Sequence, residues 1–380
     1  MRRLLLILHT YLGLAAGLLL AVIGITGSVL VFDHALDETL APQTVPRPES
    51  GPPAPLQAIL ATAQAAVPGQ PEPLRIHLAR QPDSPHVVRF PAPEGAPGPV
   101  EVSVAPVSAE VLAVRGWGNY PMSWLYRLHY TLLAGDTGKY VVGACGLLLL
   151  FFCLSGLYFW WPRHNQWRRA LTIKRGSSSF RLHYDLHKTV GFYLLPILIA
   201  VAFSGAALVF QGPVQGLVGT VLPLQERPSP QSVPLAGAPA LNVDEAIALG
   251  RAVFPNADLK RVFLPRGPNG SYQLALNQPG EPWSAHAATT VWVDQYSGEI
   301  LAVWDALKLA SGSTLLTWQF PLHNGDAFGL PGRWLVFVSG LSPACLFGTG
   351  LYLWRRKRSL RRLARRKAQD SSELRLRNPL

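Results

Sequence analysis

The fold is decided by an apolar stretch that occurs twice in the chain. LHTYLGLAAGLLLAVIGITGSVLVF (Leu8–Phe32) aligns without a gap, at an offset of 178 residues, with LHKTVGF…AFSGAALVF (Leu186–Phe210). Each copy is long enough to cross the hydrocarbon core of a bilayer, which takes about 20 apolar residues in a helix. Any structure for this chain therefore has to accommodate a duplication.

The duplication continues on either side of this stretch. GLYFW (Gly156–Trp160) matches GLYLW (Gly350–Trp354) at an offset of 194, and VAPVSAEVLA (Val104–Ala113) matches VDQYSGEILA (Val293–Ala302) more weakly at 189. The chain is thus predicted to run as helix, external segment, helix, twice over. Parallel repeats of this kind are related by an axis along the membrane normal, so equivalent residues lie at the same depth.

Composition also indicates a membrane protein. Hydrophobic residues make up 49% of the 380 residues and charged residues 15%, against about 25% charged in soluble proteins. A soluble single-domain enzyme and a disordered chain are excluded, and three cysteines without C-x-x-C give no disulfide framework. The predicted fold class is an α-helical membrane protein, a four-transmembrane-helix bundle with two external α+β domains. Its spans are Leu4–Phe32, Tyr140–Trp161, Val190–Phe210 and Trp334–Trp354.

The distribution of charge predicts the orientation. Residues 1–3, 163–188 and 355–380 together carry 20 Lys and Arg and three acids, whereas the rest of the chain carries 14 and 19. By the positive-inside rule, both termini and the middle loop are cytoplasmic. The basic tail Arg355–Lys367 is interpreted as an anchor to anionic lipid and not as a nucleic-acid site. The first apolar run is about twice as long as a signal-peptide core and is interpreted as a retained helix.

Both external segments are expected to be α+β. Asparagine capping and alternating apolar residues predict helices near 55–66 and 242–254 and strands near 74–78, 86–90, 100–104, 260–264, 272–276 and 289–293, with a last short strand after the turn QYSG of the second copy. The segments of the chain are then a first transmembrane helix (1–36), a first external domain (37–120), an outer helix with the second span (121–162), a basic cytoplasmic loop (163–182), the third span (183–212), a second external domain (213–315), an outer segment with the fourth span (316–355) and a basic cytoplasmic tail (356–380).

Histidines are the residues with the clearest cofactor chemistry. Four of the ten have a histidine counterpart in the other copy: His9 matches His187, and His129 matches His323. Two imidazoles brought to one depth in an apolar bundle suit the two axial positions of a six-coordinate haem. Two such sites, one near each face, would carry electrons across about 30 Å of hydrocarbon.

Other ligands stay open at this point. His183 and His34, which have no histidine counterpart, are further candidates for haem contacts, and Asp185 is a candidate to orient an inner ligand. The cations nearest to the inner pair, as partners for haem propionates, are Arg3, Arg181 and Lys188. Zinc is the rival metal at the outer pair, where Asp136 and Asp326 follow the histidines.

These motifs resemble the PepSY-associated transmembrane (iron-regulated membrane protein) family, especially its inner-membrane ferric-siderophore reductases of the FoxB type. The resemblance is carried by the first apolar stretch and by DLHKTVGF, SGLYFWWPR, TGLYLW and VDQYSGEILA. It implies four membrane helices, two periplasmic PepSY-like domains and two non-covalent b-type haems held by histidines. It also implies reduction of ferric siderophore in the periplasm with electrons from the cytoplasm. The first copy departs from the pattern, with APVSAE in place of DQYSGE, which puts a functional role for that copy in doubt.

The expected function is thus a di-haem ferric-siderophore reductase of the bacterial inner membrane that releases Fe(II). No G-x-G-x-x-G follows a strand, so the electron donor is expected to be a flavoprotein, free reduced flavin or a quinol. Substrate would dock near His129 and His323. The predicted external segments carry a modest net negative charge, which suits neutral or cationic siderophores. The alternatives are a non-redox PepSY protein that binds peptides or regulates a peptidase, and an iron-chelate permease.

Overall fold

The long apolar segments of the chain form helices, and the strands between them form an antiparallel sheet. The computed structural model describes residues 1–162, 165–235, 237, 239–283 and 287–377. His164, His286, the start of the predicted loop at 163–182 and the end of the predicted tail at 356–380 lie partly or wholly outside these residues. The chain divides into a membrane unit (Met1–Val29, His129–Val209 and Leu335–Leu380) and a sheet unit (Leu30–Leu128 and Phe210–Trp334).

The described elements alternate between the two units. The α-helices are α1 (Arg2–Leu30), α2 (Asp33–Leu40), α3 (Leu56–Ala65), α4 (Pro121–Thr131), α5 (Gly135–Trp160), α6 (Trp167–Leu171), α7 (Ser179–Tyr193), α8 (Leu195–Val209), α9 (Gln211–Gly219), α10 (Val243–Arg251), α11 (Ser311–Thr317), α12 (Gln319–Asn324) and α13 (Gly329–Arg377). The strands are β1 (Arg75–His77), β2 (His86–Phe90), β3 (Val100–Val104), β4 (Val111–Gly116), β5 (Asp258–Phe263), β6 (Ser271–Asn277), β7 (Thr289–Asp294) and β8 (Ile300–Trp304).

Three helical stretches are long and apolar enough to cross a membrane, namely α1, α5 and Asp326–Arg366. A fourth crossing arises if α7 and α8, which are bent by 64° relative to each other, act as one span. The bend precedes Pro196, whose ring clashes with the preceding turn and which has no N–H to donate. The chain is therefore a membrane protein, and the predicted third span, Val190–Phe210, contains this bend.

Pro343 lies inside α13 without interrupting it. A proline leaves the carbonyl four residues earlier, here that of Ser339, without its usual N–H donor. The Ser342 hydroxyl donates a hydrogen bond to the Ser339 carbonyl oxygen at 2.6 Å. The carbonyl is thus satisfied within the helix, as the membrane interior requires.

Small residues bring helices of the membrane unit together at equivalent places in the two copies. Gly24 of α1 and Gly340 of α13 are so close that a Cβ on either would collide with the carbonyl oxygen of the other. On α5, a Cβ at Gly146 would lie 3.2 Å from the carbonyl oxygen of Ala202 in α8. In the repeat, Gly24 corresponds to Ala202 and Gly340 to Gly146. The duplicated sequence therefore gives a duplicated close approach, of the small-residue type that is common between membrane helices.

The segments that the sequence predicts to be external form one sheet, to which both copies contribute. Its eight antiparallel strands lie in the order β4-β3-β2-β1-β5-β6-β7-β8, so that the first copy joins the second through β1 and β5. Ile76 lies opposite Val262, with Arg75 opposite Phe263 and His77 opposite Arg261. The chain does not form the two separate external α+β domains that the sequence predicts.

The physical reason for this difference lies in the strand edges. Separated, each half would be a four-stranded sheet of marginal core, with β1 or β5 as an open edge. Pairing β1 with β5 removes both open edges and joins the two cores. The predicted helices and strands themselves are present at nearly the expected positions, and β4 is an additional strand of the first copy.

The core of the sheet unit lies between one sheet face and the helices α3 and α10. Every second residue of a strand points to this face, and the fully buried side chains there are Ile76, Val88, Phe90, Val102, Val104, Val262, Leu274, Leu276, Val291 and Val293, covered by Ile59 of α3 and Val243 of α10.

The two covering helices begin next to each other. The Asp244 carboxylate of α10 accepts hydrogen bonds from the backbone N–H groups of Leu56 at 2.9 Å and Gln57 at 3.0 Å, at the start of α3. In return, the Gln57 side-chain oxygen accepts the Val243 N–H at 3.4 Å. A carboxylate at a helix N-terminus satisfies orphan donors and the helix dipole together. Asp244 thus links the first copy to the second.

We predict that Asp244→Ala lowers the free energy of unfolding of the sheet unit by about 1–2 kcal/mol, because two backbone donors lose their acceptor. Thermal unfolding of the full chain in detergent measures the change. Asp244→Asn, which keeps one acceptor oxygen, should lose less, and Asp258→Ala, at an exposed position, should lose little. Equal melting temperatures for Asp244→Ala and wild type would contradict the role of this cap.

His86 is a titratable group buried in the same unit. Its Nδ1 accepts the backbone N–H of Ala79 at 2.8 Å, which requires a lone pair on that nitrogen. Burial lowers the pKa of His86 to about 4. The folded sheet unit therefore holds this ring in the neutral form.

Acid should consequently destabilise the sheet unit. An unfolded histidine has a pKa of about 6.5, so between that value and about 4 the unfolded chain binds a proton that the folded chain does not. The free energy of unfolding should fall as the pH decreases across this window, by at most about 3 kcal/mol. Thermal unfolding between pH 7.5 and 4.5 tests this, with His86→Gln expected to show a shallower slope. Parallel slopes for variant and wild type would exclude His86 as the cause.

Candidate functional site

His9 of α1 and His187 of α7 lie near each other in the membrane unit. Both side chains are half-buried, and the imidazoles are close enough that a proton on His187 would act electrostatically on His9. The two helices are equivalent in the repeat. The two histidines that the sequence pairs thus lie within electrostatic range of each other, and their joint ligation of a metal stays a prediction.

Each of these rings is held by a hydroxyl group on another helix. His9 Nδ1 lies 2.7 Å from Ser155 Oγ of α5. His187 Nδ1 lies 2.9 Å from Thr349 Oγ1 of α13. Ser155 and Thr349 are themselves equivalent in the repeat, at the offset of 194. The contact between histidine and hydroxyl thus occurs twice, once in each copy.

The protons on these groups can be assigned. Ser155 donates its single hydroxyl proton to the Phe151 carbonyl at 2.7 Å, and Thr349 donates its own to the Cys345 carbonyl at 2.8 Å. With each hydroxyl proton donated to its carbonyl, both oxygens accept from the imidazoles, which favours the tautomer with the proton on Nδ1. In a neutral ring this leaves the lone pair on Nε2. Two imidazoles of this tautomer are suited to bind a metal through Nε2, with Nδ1–H fixed by an acceptor behind it.

Apolar groups surround the His9 ring. Phe152 and Phe159 of α5 meet the imidazole edge-on, with ring centres 5.4 and 5.8 Å away. A Cβ on Gly156 would lie 3.7 Å from Cε1 of His9, and a Cβ on the equivalent Gly350 would lie 3.5 Å from Cε1 of His187. The hydroxyls are therefore polar partners in an otherwise apolar setting.

Asp185, the candidate to orient an inner ligand, serves another purpose. Its fully buried carboxylate binds Arg181 Nε at 2.9 Å, Lys188 Nζ at 3.2 Å and the Lys174 N–H at 3.2 Å. The orienting acceptor of His187 is Thr349, so the prediction for Asp185 is wrong. Arg181 and Lys188 are ion-paired with this acid, whereas Arg3 is exposed.

The two further histidine candidates are placed differently. His183 donates from Nδ1 to the Ser179 carbonyl at 2.7 Å, and its ring stacks on Tyr352 at 3.9 Å between ring centres. His34 belongs to the sheet unit, is largely exposed and contacts the Asp33 carboxylate at 2.5 Å. Neither has the hydroxyl contact that His9 and His187 share.

His129 of α4 has its own anchor in the membrane unit. Its Nδ1 lies 3.0 Å from the Ile23 carbonyl oxygen and 3.1 Å from Thr26 Oγ1, both on α1. Because a carbonyl can only accept, Nδ1 of His129 carries a proton. Gly27 makes room for this ring, since a Cβ there would lie 2.7 Å from its Cε1.

The second copy repeats this anchor on α8. Ser204 corresponds to Thr26, and its hydroxyl contacts the Ala200 and Val201 carbonyls just as Thr26 contacts those of Val22 and Ile23. His323, the counterpart of His129, lies on α12 in the sheet unit. The pairing of His129 with His323 stays a prediction of the repeat.

The hydroxyl partners were overlooked at the level of sequence. The duplication matches Ser155 with Thr349 and Thr26 with Ser204. A comparison of hydroxyl residues between the two copies, and not of histidines alone, would therefore have found them.

For the zinc alternative, the described residues contain no group of three His, Cys, Asp or Glu side chains arranged to hold a metal ion. Zinc normally takes at least three protein ligands.

Comparison with known proteins adds a family to this geometry. A family model described as PepSY-associated TM region matches residues 6–357. The chain is also similar to the uncharacterized protein PA4219 of Pseudomonas aeruginosa, with 24% identity over 254 residues. This alignment covers 62% of the present chain and 63% of the relative, so the chain spans less than two thirds of that relative's length.

Proposed function

We propose, for a chain that belongs to the PepSY-associated TM region family, that it is a haem-bearing reductase of the bacterial inner membrane. It takes electrons on the cytoplasmic side and delivers them to a ferric siderophore outside. The observation that carries this proposal is the duplicated contact of His9 with Ser155 and of His187 with Thr349. A pair of histidines that served only as interfacial anchors would not need matched acceptors on two other helices.

The donor set fits haem b. His9 and His187, as neutral imidazoles with lone pairs on Nε2, would hold the iron of a haem between them, and haem, unlike zinc, needs no third side chain. Bound haem would supply a reversible one-electron change at iron. The phenyl rings of Phe152 and Phe159 are the apolar neighbours that a porphyrin favours.

The chain's own groups then set the properties of this centre. Ser155 and Thr349 accept from Nδ1–H and so fix the tautomer and the orientation of both imidazoles. They also increase the electron donation of each ring, which favours the oxidised metal.

The remaining parts of the proposal rest on the repeat and on charge. Four spans, with α7 and α8 as one of them, would have both termini and the basic loop in the cytoplasm, as the positive-inside rule favours. His129, fixed by Ile23 and Thr26, is the outer ligand of the first copy, and the repeat predicts His323 as its counterpart. The two levels together would form a relay for electrons through the bilayer.

The reaction that this relay would serve is the reduction of a ferric siderophore. Siderophores hold Fe(III) much more tightly than Fe(II), so the transfer of one electron releases the metal and leaves the chelator intact. The donor is a flavoprotein, free reduced flavin or a quinol in the cytoplasm or the membrane. The lipid bilayer and the ferric siderophore are the partners of the chain in this proposal.

We predict that the full chain, expressed with ample haem supply, shows a Soret band that sharpens and shifts on addition of dithionite. His9→Ala and His187→Ala should each remove one haem of two, because both remove a ligand of the inner centre. His183→Ala is the matched control on α7 and should keep both haems, since its ring is bound to Ser179 and Tyr352. A colourless wild-type protein, or full haem content in His187→Ala, would refute the assignment.

The hydroxyl acceptors provide a finer test. Ser155→Ala and Thr349→Val should retain haem but raise its reduction potential by about 20–60 mV each, since a weaker acceptor makes imidazole a poorer donor and 59 mV corresponds to about 1.4 kcal/mol for one electron. Ser339→Ala removes a buried hydroxyl of α13 that is bound only to a backbone carbonyl. A redox titration in which Ser339→Ala shifts the potential as much as Thr349→Val would contradict the specific role.

A further inference from the structure

Arginines gather on the sheet face opposite α3 and α10. Across β4, β3, β2 and β1, the residues Arg115, Glu101, Arg89 and Arg75 lie directly opposite one another in register. Arg75 therefore faces the like charge of Arg89, a cross-strand pairing that destabilises a sheet. Arg261 of β5 is close enough to act electrostatically on both.

Two of these four arginines are neutralised within the fold. Arg115 donates from Nη1 and Nη2 to the two carboxylate oxygens of Asp37, at 3.1 and 2.8 Å. Arg89 donates from Nε to Glu101 Oε1 at 2.6 Å, and the Tyr120 hydroxyl donates to Glu101 Oε2 at 2.8 Å. Each of these guanidinium groups thus has its own carboxylate.

Arg75 and Arg261 have no such partner. In the described part of the chain neither forms an ion pair, and the Nε atom of each is buried without a hydrogen-bond acceptor. Both guanidinium groups lie 5.6 Å from the centre of the Phe263 ring. Burial and the charge of Arg89 lower the pKa of Arg75 although the Glu101 carboxylate acts in the opposite direction, and burial with the charges of both neighbours lowers the pKa of Arg261 to about 10. Both side chains remain cationic at neutral pH, and among the described residues neither has a carboxylate as an ion-pair partner.

A cavity of about 380 Å³ opens beside these residues within the sheet unit. Arg75, Arg89 and Arg266 supply its cationic groups, and Asn269 and Gln273 supply neutral polar groups. The described residues that line it include no acid. Its volume is at the small end of ligand pockets, which span about 300–1,000 Å³.

We propose that this cavity binds a soluble di- or tricarboxylate anion through Arg75, with Arg261 and Arg266 adding positive charge. Guanidinium groups bind carboxylates in a bidentate manner, and a multivalent anion would balance two charges that the fold leaves uncompensated. It would also relieve the repulsion between Arg75 and Arg89. A phosphate headgroup of an anionic lipid has related chemistry but only one charge, and matches the site less well.

The anion would be part of an iron chelate, a step that rests on the proposed function. An electron acceptor outside the membrane would then be a carboxylate-bearing ferric chelate, in place of the neutral or cationic siderophore that the net external charge alone suggests. The binding of the anion itself needs no haem. The two proposals can therefore fail separately.

Isothermal titration of the purified full chain in neutral detergent with citrate, and then with ferric citrate, tests the site. Wild type should bind both, and Arg75→Gln and Arg266→Gln, which each remove a guanidinium group that lines the cavity, should each weaken binding by about tenfold, the loss of one charge-assisted contact. Arg47→Gln removes one exposed charge from the same unit and should leave binding unchanged. Acetate at equal ionic strength should not compete.

A second readout separates binding from folding. Without anion, Arg75→Gln should unfold at the wild-type temperature or above it, because its repulsion with Arg89 is gone, while citrate should stabilise wild type and not the variant. Absence of citrate binding by wild type, an equal loss in Arg47→Gln, or binding of phosphatidylglycerol micelles in place of citrate would overturn the site. Citrate binding through Arg75 in a colourless protein would sustain the site and refute the haem proposal.

Discussion

The hydrogen bond between a histidine Nδ1 and a hydroxyl on a neighbouring helix is the interaction that fixes the orientation of the His9 and His187 rings in the membrane unit. It joins His9 to Ser155 and His187 to Thr349, and in both cases the hydroxyl proton is already committed to a backbone carbonyl. This arrangement leaves one tautomer for each ring. It also links α1 to α5 and α7 to α13, so the geometry of the pair is set by helix packing and not by a flexible loop.

The same duplication has a different outcome in the sheet unit. There the two copies share a hydrogen-bonded sheet. Asp244 of the second copy accepts a backbone hydrogen bond at the N-terminus of α3 in the first. The unit therefore presents one continuous face of strands, and the face away from the helices has room for Arg75 and Arg261. Their charges lie close together only because β1 and β5 are neighbours.

Sequence patterns predicted most helices and strands, but not which of them pack against one another. Apolar length and alternation predicted the first, second and fourth spans and strands such as His86–Phe90 at nearly the observed positions, because burial is a local requirement that each residue meets or fails by itself. The β1–β5 junction and the Thr349 acceptor depend on which elements meet in space, and alternation carries no such information. The bend before Pro196 was marked by the proline, but its angle depends on the packing of both halves.

The β1–β5 junction has a consequence for the history of the chain. β1 and β5 are the first strands of their respective copies and pair antiparallel with each other, as matching edge strands do in an isologous interface. A protein with a single copy would carry the same strand as an exposed edge and could bury it against a second molecule of itself. Fusion of two genes would then have turned a symmetric homodimer into one polypeptide, after which each half was free to diverge.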